Sequence, residues 1–249
     1  MTEQEALTKP ETLSTASSVT PVFDAAALFN QHKKSVVRVS DQVNFGGNLL
    51  ENTVGSGFAI DYLANSPKTE TGDQKDSAAC RFATDNHVVA HTSKDAALEL
   101  GNGNKYPFTV ELRDEANDLA IVRVENVKKD DCHPLEITDQ ETPLKAGDPV
   151  LKMGARYGTP GFTEGNVETY FKREEARGLP LLPGEDKNRT MLSALTKTNQ
   201  AQGGDSGGPM LDATGKTIGV MDAEGPSVMA GTPAHLLLQN LQKLKANDK

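Results

Sequence analysis

The stretch Gly203-Gly204-Asp205-Ser206-Gly207-Gly208-Pro209-Met210 sets a serine between glycines, and the rest of the chain is read outward from it. Glycines let a backbone turn tightly and approach another molecule closely, with φ values that a side chain would forbid. In such a turn the N–H groups of Gly204 and Ser206 can converge beside the Ser206 hydroxyl. Donors placed there would stabilise the oxyanion of an acyl-transfer intermediate, and one of them is typically worth about 100–1000-fold in rate. A glycine-rich turn with an incidental serine is the plain alternative, so the partners of the serine decide.

A hydroxyl nucleophile needs a base, and the base needs an orienting group. Ala83-Thr84-Asp85-Asn86-His87-Val88-Val89 puts a histidine between a polar turn and an apolar run. Asn117-Asp118-Leu119-Ala120-Ile121-Val122-Arg123-Val124 leads an acid straight into an apolar strand. The order His87, Asp118, Ser206 distinguishes this arrangement from Ser-His-Asp sites that occur in other chain orders. It leaves room for one β-barrel around His87 and Asp118 and another around Ser206.

Four blocks carry a family resemblance: Gly55-Ser56-Gly57-Phe58-Ala59-Ile60, Thr84 to Val89, Asp118 to Val122, and Gly203 to Met210; Ala146 to Gly154 is a fifth, weaker one. On these the chain resembles chymotrypsin/trypsin-fold serine proteases, and within them the bacterial HtrA/Deg type, over roughly residues 35 to 240. The resemblance implies an all-β, chymotrypsin-like double β-barrel with a short N-terminal helix and a C-terminal helix. The expected organisation is a flexible leader over 1–21, an N-terminal barrel over 22–135 and a C-terminal barrel with the terminal helix over 136–249. It also implies a serine endopeptidase acting on polypeptides without a cofactor. Ser206 would attack, His87 would carry the proton, Asp118 would orient His87, and the Gly204 and Ser206 N–H groups would hold the oxyanion. Too few residues follow Ser206 for the PDZ domain that HtrA-type proteins usually append. The family's trimers raise an oligomer as an expectation, and its habit of working outside the cytoplasm favours a periplasmic or secreted location. Met1 to Thr20 has no apolar core of a signal peptide, which leaves a cytoplasmic location open.

Where trypsins carry an acid for Arg and Lys substrates this chain has Gln200, which argues against trypsin-like cleavage. Met221, Asp222, Ala223 and Glu224 fall in the segment that pairs with substrate backbone in the resembling proteases, and the two acids either bias the pocket or point to solvent. A preference for small or medium apolar residues is implied by the family. Cys80 and Cys132 flank the two strands beside His87 and Asp118; they are either bridged or two separate buried thiols. A bridge would contribute about 4 kcal/mol by the loop-entropy estimate. Cys80, His91, Cys132 and His133 match no zinc spacing, so no metal is expected.

A formal charge of −9 makes a nucleic-acid backbone an unfavourable partner, and no apolar run reaches membrane-spanning length. Period-two alternation at Leu98, Leu100, Tyr106, Phe108, Val110 and Leu112 across Gly101-Asn102-Gly103-Asn104 predicts a hairpin. Arg81 to Val89 reads as a strand delivering His87, Asn65 to Ala79 and Lys172 to Asn188 as loops, and Thr232 as the cap of a final helix with Pro233 in its first position. Two other functions fit parts of the pattern. One is a latent or inactive peptide-binding module on the same fold. The other is an α/β-hydrolase esterase using Ser206, Asp222 and His235, which the short strands and glycine turns oppose.

Overall fold

The computed structural model describes residues 23–45, 48–63, 77–156, 158–176, 181–196, 204–225 and 227–247. The expected leader, most of the 65–79 loop and Gln200 lie outside them. The chain runs α1 (Ala25–His32), β1 (Val36–Phe45), β2 (Asn48–Leu63), β3 (Ser77–Thr84), α2 (Asn86–Val89), β4 (Ala97–Leu100), β5 (Lys105–Pro107), β6 (Thr109–Asp114) and β7 (Leu119–Lys128). It continues through β8 (Pro149–Gly154), β9 (Gly161–Lys172), β10 (Thr190–Thr196), β11 (Pro209–Leu211), β12 (Thr217–Gly225), β13 (Val228–Pro233) and α3 (Ala234–Asn247).

The second half closes as a barrel in the order β10-β13-β12-β11-β8-β9, whereas the first is a seven-stranded sheet in the order β5-β4-β1-β2-β3-β7-β6. Its edge strands β5 and β6 are separated by Phe108 alone, so the sheet curls back on itself and stops one ladder short of closure. The double-barrel architecture therefore holds, with one barrel closed and one half-open.

Both faces of the central strands are buried, so they read as apolar runs rather than as alternation. On β7, Leu119 and Ile121 enter a core that also takes Leu151, Met153 and Val220 from the second half. The intervening Ala120, Val122 and Val124 turn to the inside of the first sheet. The barrel has its own core around Val150, Leu192, Met210 and Ile218. The middle core cements the two halves, and α1 and α3 close it with Leu28, Leu237 and Leu241.

Local signals account for several elements. Asp24 caps α1 by accepting from the Ala27 amide at 2.9 Å, a contact worth about 1 kcal/mol. The alternating hairpin forms as Leu98 pairs with Tyr106. A register shift between Val110 and Leu112 sends Leu112 to the middle core and leaves Val110 in the first. A disulfide joins Cys80 of β3 to Cys132, with Cα atoms 6.0 Å apart, and both residues are buried.

Two local expectations are corrected, and two strands were unforeseen. His87 stands on the single turn α2, because β3 ends at Thr84 and the Asn86 amide turns to the Asp118 carbonyl. Thr232 belongs to β13 and does not cap α3: its hydroxyl donates to the Asn117 carbonyl at 2.9 Å. Strands β10 and β13 had no counterpart in the sequence reading.

Candidate active site

The turn before β7 builds one side of the site. Asn117 and Asp118 donate their amides back to Asp114 and Glu115, which sets Asp118 at φ 53°. Aspartate tolerates this left-handed region better than most residues. Its carboxylate is buried and committed through both oxygens to one partner: Oδ1 accepts from the His87 amide at 2.8 Å, and Oδ2 lies 2.7 Å from His87 Nδ1. The His87 ring is therefore fixed at its backbone and at one nitrogen, with 31% of the side chain exposed. Burial works to lower the His87 pKa, but the hydrogen bond and charge of Asp118, then the charges of Asp222 and Glu185, outweigh it and hold the pKa above its ordinary value.

The glycine turn builds the other side. Gly207 sits at φ 85°, where a Cβ would lie 2.2 Å from both the Ser56 carbonyl and Thr84 Oγ1; only glycine allows the halves to approach this closely. Ser56, in a motif quoted above only for the resemblance, pins the turn. Its amide donates to the Ser206 carbonyl at 2.7 Å, its hydroxyl donates to the Gly204 carbonyl at 2.7 Å, and that hydroxyl accepts from Ala155 at 2.8 Å. Ser206 Oγ donates to the Asp222 main-chain carbonyl at 3.0 Å, and among the described residues no hydrogen bond joins it to His87. Nor does any acceptor among them engage the N–H of Gly204 or Ser206. Asp205, beside the serine, is buried against Lys152 Nζ at 2.7 Å and against Arg156.

Sequence reasoning missed most of the charge around this pair. Asp85, Asp118 and Asp222 each bring a carboxylate oxygen within 4.8 Å of one another and of a His87 nitrogen. Arg189, 1% exposed, binds Asp222 Oδ2 at 2.5 Å and the Asn117 carbonyl at 2.9 Å, and is itself held by buried Glu185. A cation at this cluster would compete with the Arg189 guanidinium on Asp222 and with His87 on Asp118. Burial raises the Asp222 pKa, with Arg189 opposing it and Asp118 adding to it. The esterase arrangement is absent: the Asp222 carboxylate is on Arg189, and buried His235 Nδ1 has no partner among the described residues. Met221 is buried on β12, which continues through Ala223 and Glu224.

Asp85 is fully buried, and among the described residues neither carboxyl oxygen has a hydrogen-bond partner, His87 Nδ1 lying 4.0 Å from Oδ2. Burial, then Asp118 and Asp222, push its pKa well above the usual carboxylate range. Between the ordinary value and the raised folded value the native state holds a proton that the unfolded chain has lost, so stability falls as pH rises through that window and is level above it. Asp85→Asn is expected to leave stability unchanged near about pH 4 and to raise it near about pH 7.5. Thermal melts of both proteins at the two pH values check this.

An open β-sheet beside a closed barrel, with a paired histidine and aspartate on one half and a glycine-turn serine on the other, is the fold of trypsin-like peptidase domains. A family model described as a trypsin-like peptidase domain matches residues 55–220, and the chain belongs to that family. It is 31% identical over 142 residues to a DegP-like periplasmic serine endoprotease of Chlamydia pneumoniae, covering 57% of this chain and 26% of the relative. It is 28% identical over 127 residues to the serine protease PepD of Mycobacterium tuberculosis, covering 51% and 26%. The chain thus spans about a quarter of the length of these curated relatives. An inactive form of Rv3671c from M. tuberculosis H37Rv shares the fold, with a TM-score of 0.60 and 23% identity over 89% of this chain and 92% of that one.

Proposed function

We propose that the chain is a serine endopeptidase of the HtrA/Deg type, acting on polypeptides outside the cytoplasm. The observation that carries it is the His87–Asp118 pair at 2.7 Å, with the imidazole fixed and its pKa raised, beside Ser206 on a turn that only glycines permit. In the reaction Ser206 Oγ attacks the peptide carbonyl while His87 Nε2 takes its proton, and Asp118 stabilises the imidazolium. The N–H groups of Gly204 and Ser206 receive the oxyanion. His87 then protonates the leaving amine, and water repeats the sequence to release the acyl group. The compartment is supported by the periplasmic relative and by the Cys80–Cys132 disulfide, a bond typical of oxidising surroundings.

One observation favours a second reading, a latent enzyme. The Ser206 hydroxyl rests on the Asp222 carbonyl and must leave it before His87 can take its proton. A fluorophosphonate probe tests both readings. The working peptidase labels in the wild type and not in Ser206→Ala or His87→Ala. A folded wild type that stays unlabelled overturns the active reading and leaves the latent one.

A further inference from the structure

We propose that Asp222 is a positioning residue of this site, acting on His87 through its carboxylate and on Ser206 through its main-chain carbonyl, with Arg189 as the clamp that fixes it. The proposal rests on the reading of His87 as base and Ser206 as nucleophile.

The backbone supplies the first argument. In the β12–β13 ladder Met221 pairs with Gly231 and Ala223 pairs with Ala230, so Asp222 is the extra residue of a bulge. A bulge leaves one residue out of the ladder and re-aims its groups, and bulges recur next to active sites. Here the displaced carbonyl is free to accept from Ser206 Oγ at 3.0 Å. The side chain, buried apart from its rim, turns to the His87–Asp118 pair rather than to solvent.

The clamp supplies the second argument. Arg189 donates to Asp222 on β12, to Thr232 on β13 and to the carbonyl of Asn117, the residue before Asp118. One guanidinium thus ties the turn that aims Asp118 in the first half to the residue that holds Ser206 in the second. Glu185, whose side chain is buried, receives the remaining donors and fixes the Arg189 plane. A bidentate, planar cation suits this task, and a lysine would reach only one of these acceptors at a time.

Charge supplies the third. The groups facing His87 are Asp85 on its own segment, Asp118 at the start of β7, Asp222 on β12, and Glu185 and Arg189 from the segment entering β10. Arg113 of β6 holds the same helical turn through Asn86 Oδ1 and the Val89 carbonyl. Among the carboxylates Asp118 is hydrogen-bonded to the ring. Burial drives Asp85 toward its neutral form, with no hydrogen bond on either oxygen among the described residues, and Asp222, which burial also raises, keeps the Arg189 guanidinium on Oδ2. With Arg189 on its carboxylate, Asp222 is after Asp118 the next group whose charge favours the imidazolium that forms as Ser206 gives up its proton, ahead of Glu185. Its carbonyl holds the hydroxyl in reserve, and its carboxylate favours the acceptor to which the proton moves.

The test reads His87 directly and needs no turnover. In the full chain carrying Ser206→Ala, the imidazole C–H resonance of His87, assigned by its loss in His87→Ala, is titrated by NMR. Asp222→Asn keeps an acceptor for Arg189 and removes the charge, and it is expected to lower the His87 midpoint by about one pH unit. Asp222→Glu restores the charge and brings the midpoint back toward the wild type. Asp222→Ser, a smaller uncharged variant, gives the same downward shift by a route that does not depend on the amide fitting. In the chain with Ser206 intact, the acid limb of fluorophosphonate labelling moves to lower pH in Asp222→Asn by the same amount. An unchanged His87 midpoint in both Asp222→Asn and Asp222→Ser overturns the proposal. Failure of the wild type to label at Ser206 overturns the peptidase reading instead, and the two failures are read in separate experiments.

Discussion

Asp118→Asn is expected to slow labelling of Ser206 about ten-thousand-fold while leaving the fold intact. The size of the effect follows from hydrogen-bond roles at one carboxylate. Oδ1 of Asp118 accepts from the His87 amide and Oδ2 faces His87 Nδ1. A backbone amide can only donate, so an asparagine must turn its carbonyl oxygen to that amide and its NH₂ to the ring. Nδ1 then has to accept, which puts the ring proton on Nε2, the nitrogen that should receive the Ser206 proton. The loss is therefore one of tautomer and not of geometry. Asparagine also tolerates the φ of 53° at this position, and it removes a negative charge from beside Asp85 and Asp222. The melting temperature should hold or rise as labelling collapses. Rate constants for probe incorporation, with a thermal melt of each protein, check the prediction. Labelling at the wild-type rate would mean that His87 is not the base.

The same turn shows what a sequence discloses. His87, Asp118 and Ser206 stand out in the sequence because each lies where a polar turn meets an apolar run, and because their order restricts the fold; that the run after His87 is a helical turn and not a strand could not be seen there. The hairpin was legible from the alternation of Leu98, Leu100 and Tyr106, since one face of each strand meets the core. Strand β13 was not legible, because Val228-Met229-Ala230-Gly231-Thr232 carries small residues where strands usually carry branched ones. The structure gives the reason: a Cβ at Gly231 would lie 2.5 Å from the Val220 carbonyl, so close packing against β12 excludes a side chain that would have signalled a strand. Thr232 followed by Pro233 imitates a helix cap, yet the hydroxyl is drawn to the Asn117 carbonyl, a contact across 115 residues that no local pattern encodes.

The charged framework was illegible for the same reason. Arg189 and Asp222 are 33 residues apart and Lys152 and Asp205 are 53 apart, and each charge looks in sequence like an ordinary surface residue. The family resemblance places Asp222 in the substrate-pairing segment with its acid biasing a pocket or facing water, whereas its carboxylate lies on buried Arg189. Asp85 had a local signal, an acid two residues before a candidate base, but its meaning depends on burial. Topology brings these groups together, and topology was known only as a family resemblance.

Lys152→Met is expected to destabilise the protein by about 3 kcal/mol, the low end of the cost of breaking a buried ion pair by removing one partner, because Arg156 stays on Asp205. Lys152 points from β8 with 1% of its side chain exposed, and its Nζ lies 2.7 Å from Asp205 Oδ2. Methionine fits the volume of the aliphatic stem but leaves Asp205 with Arg156, whose guanidinium binds both carboxylate oxygens, as its remaining charged partner. For a chain of this length the loss corresponds to a fall in melting temperature of about 6–12 °C. The consequence reaches the site because Asp205 precedes Ser206, and the Asp205 carbonyl accepts from the Gly208 amide at 3.0 Å. Arg156 already binds both Asp205 oxygens, so without the buried ammonium the carboxylate rests on that guanidinium alone and the turn loses one of its two anchors; labelling of Ser206 should slow even at temperatures where the protein remains folded. The double variant Lys152→Met with Asp205→Leu separates the two effects. Removing both charges lifts the burial penalty and should recover part of the melting temperature, since Arg156 is partly exposed and can turn to water. It should not recover labelling, because the side chain that anchors the residue before Ser206 is gone. A double variant less stable than Lys152→Met alone would show that the ion pair does not set the stability of this turn.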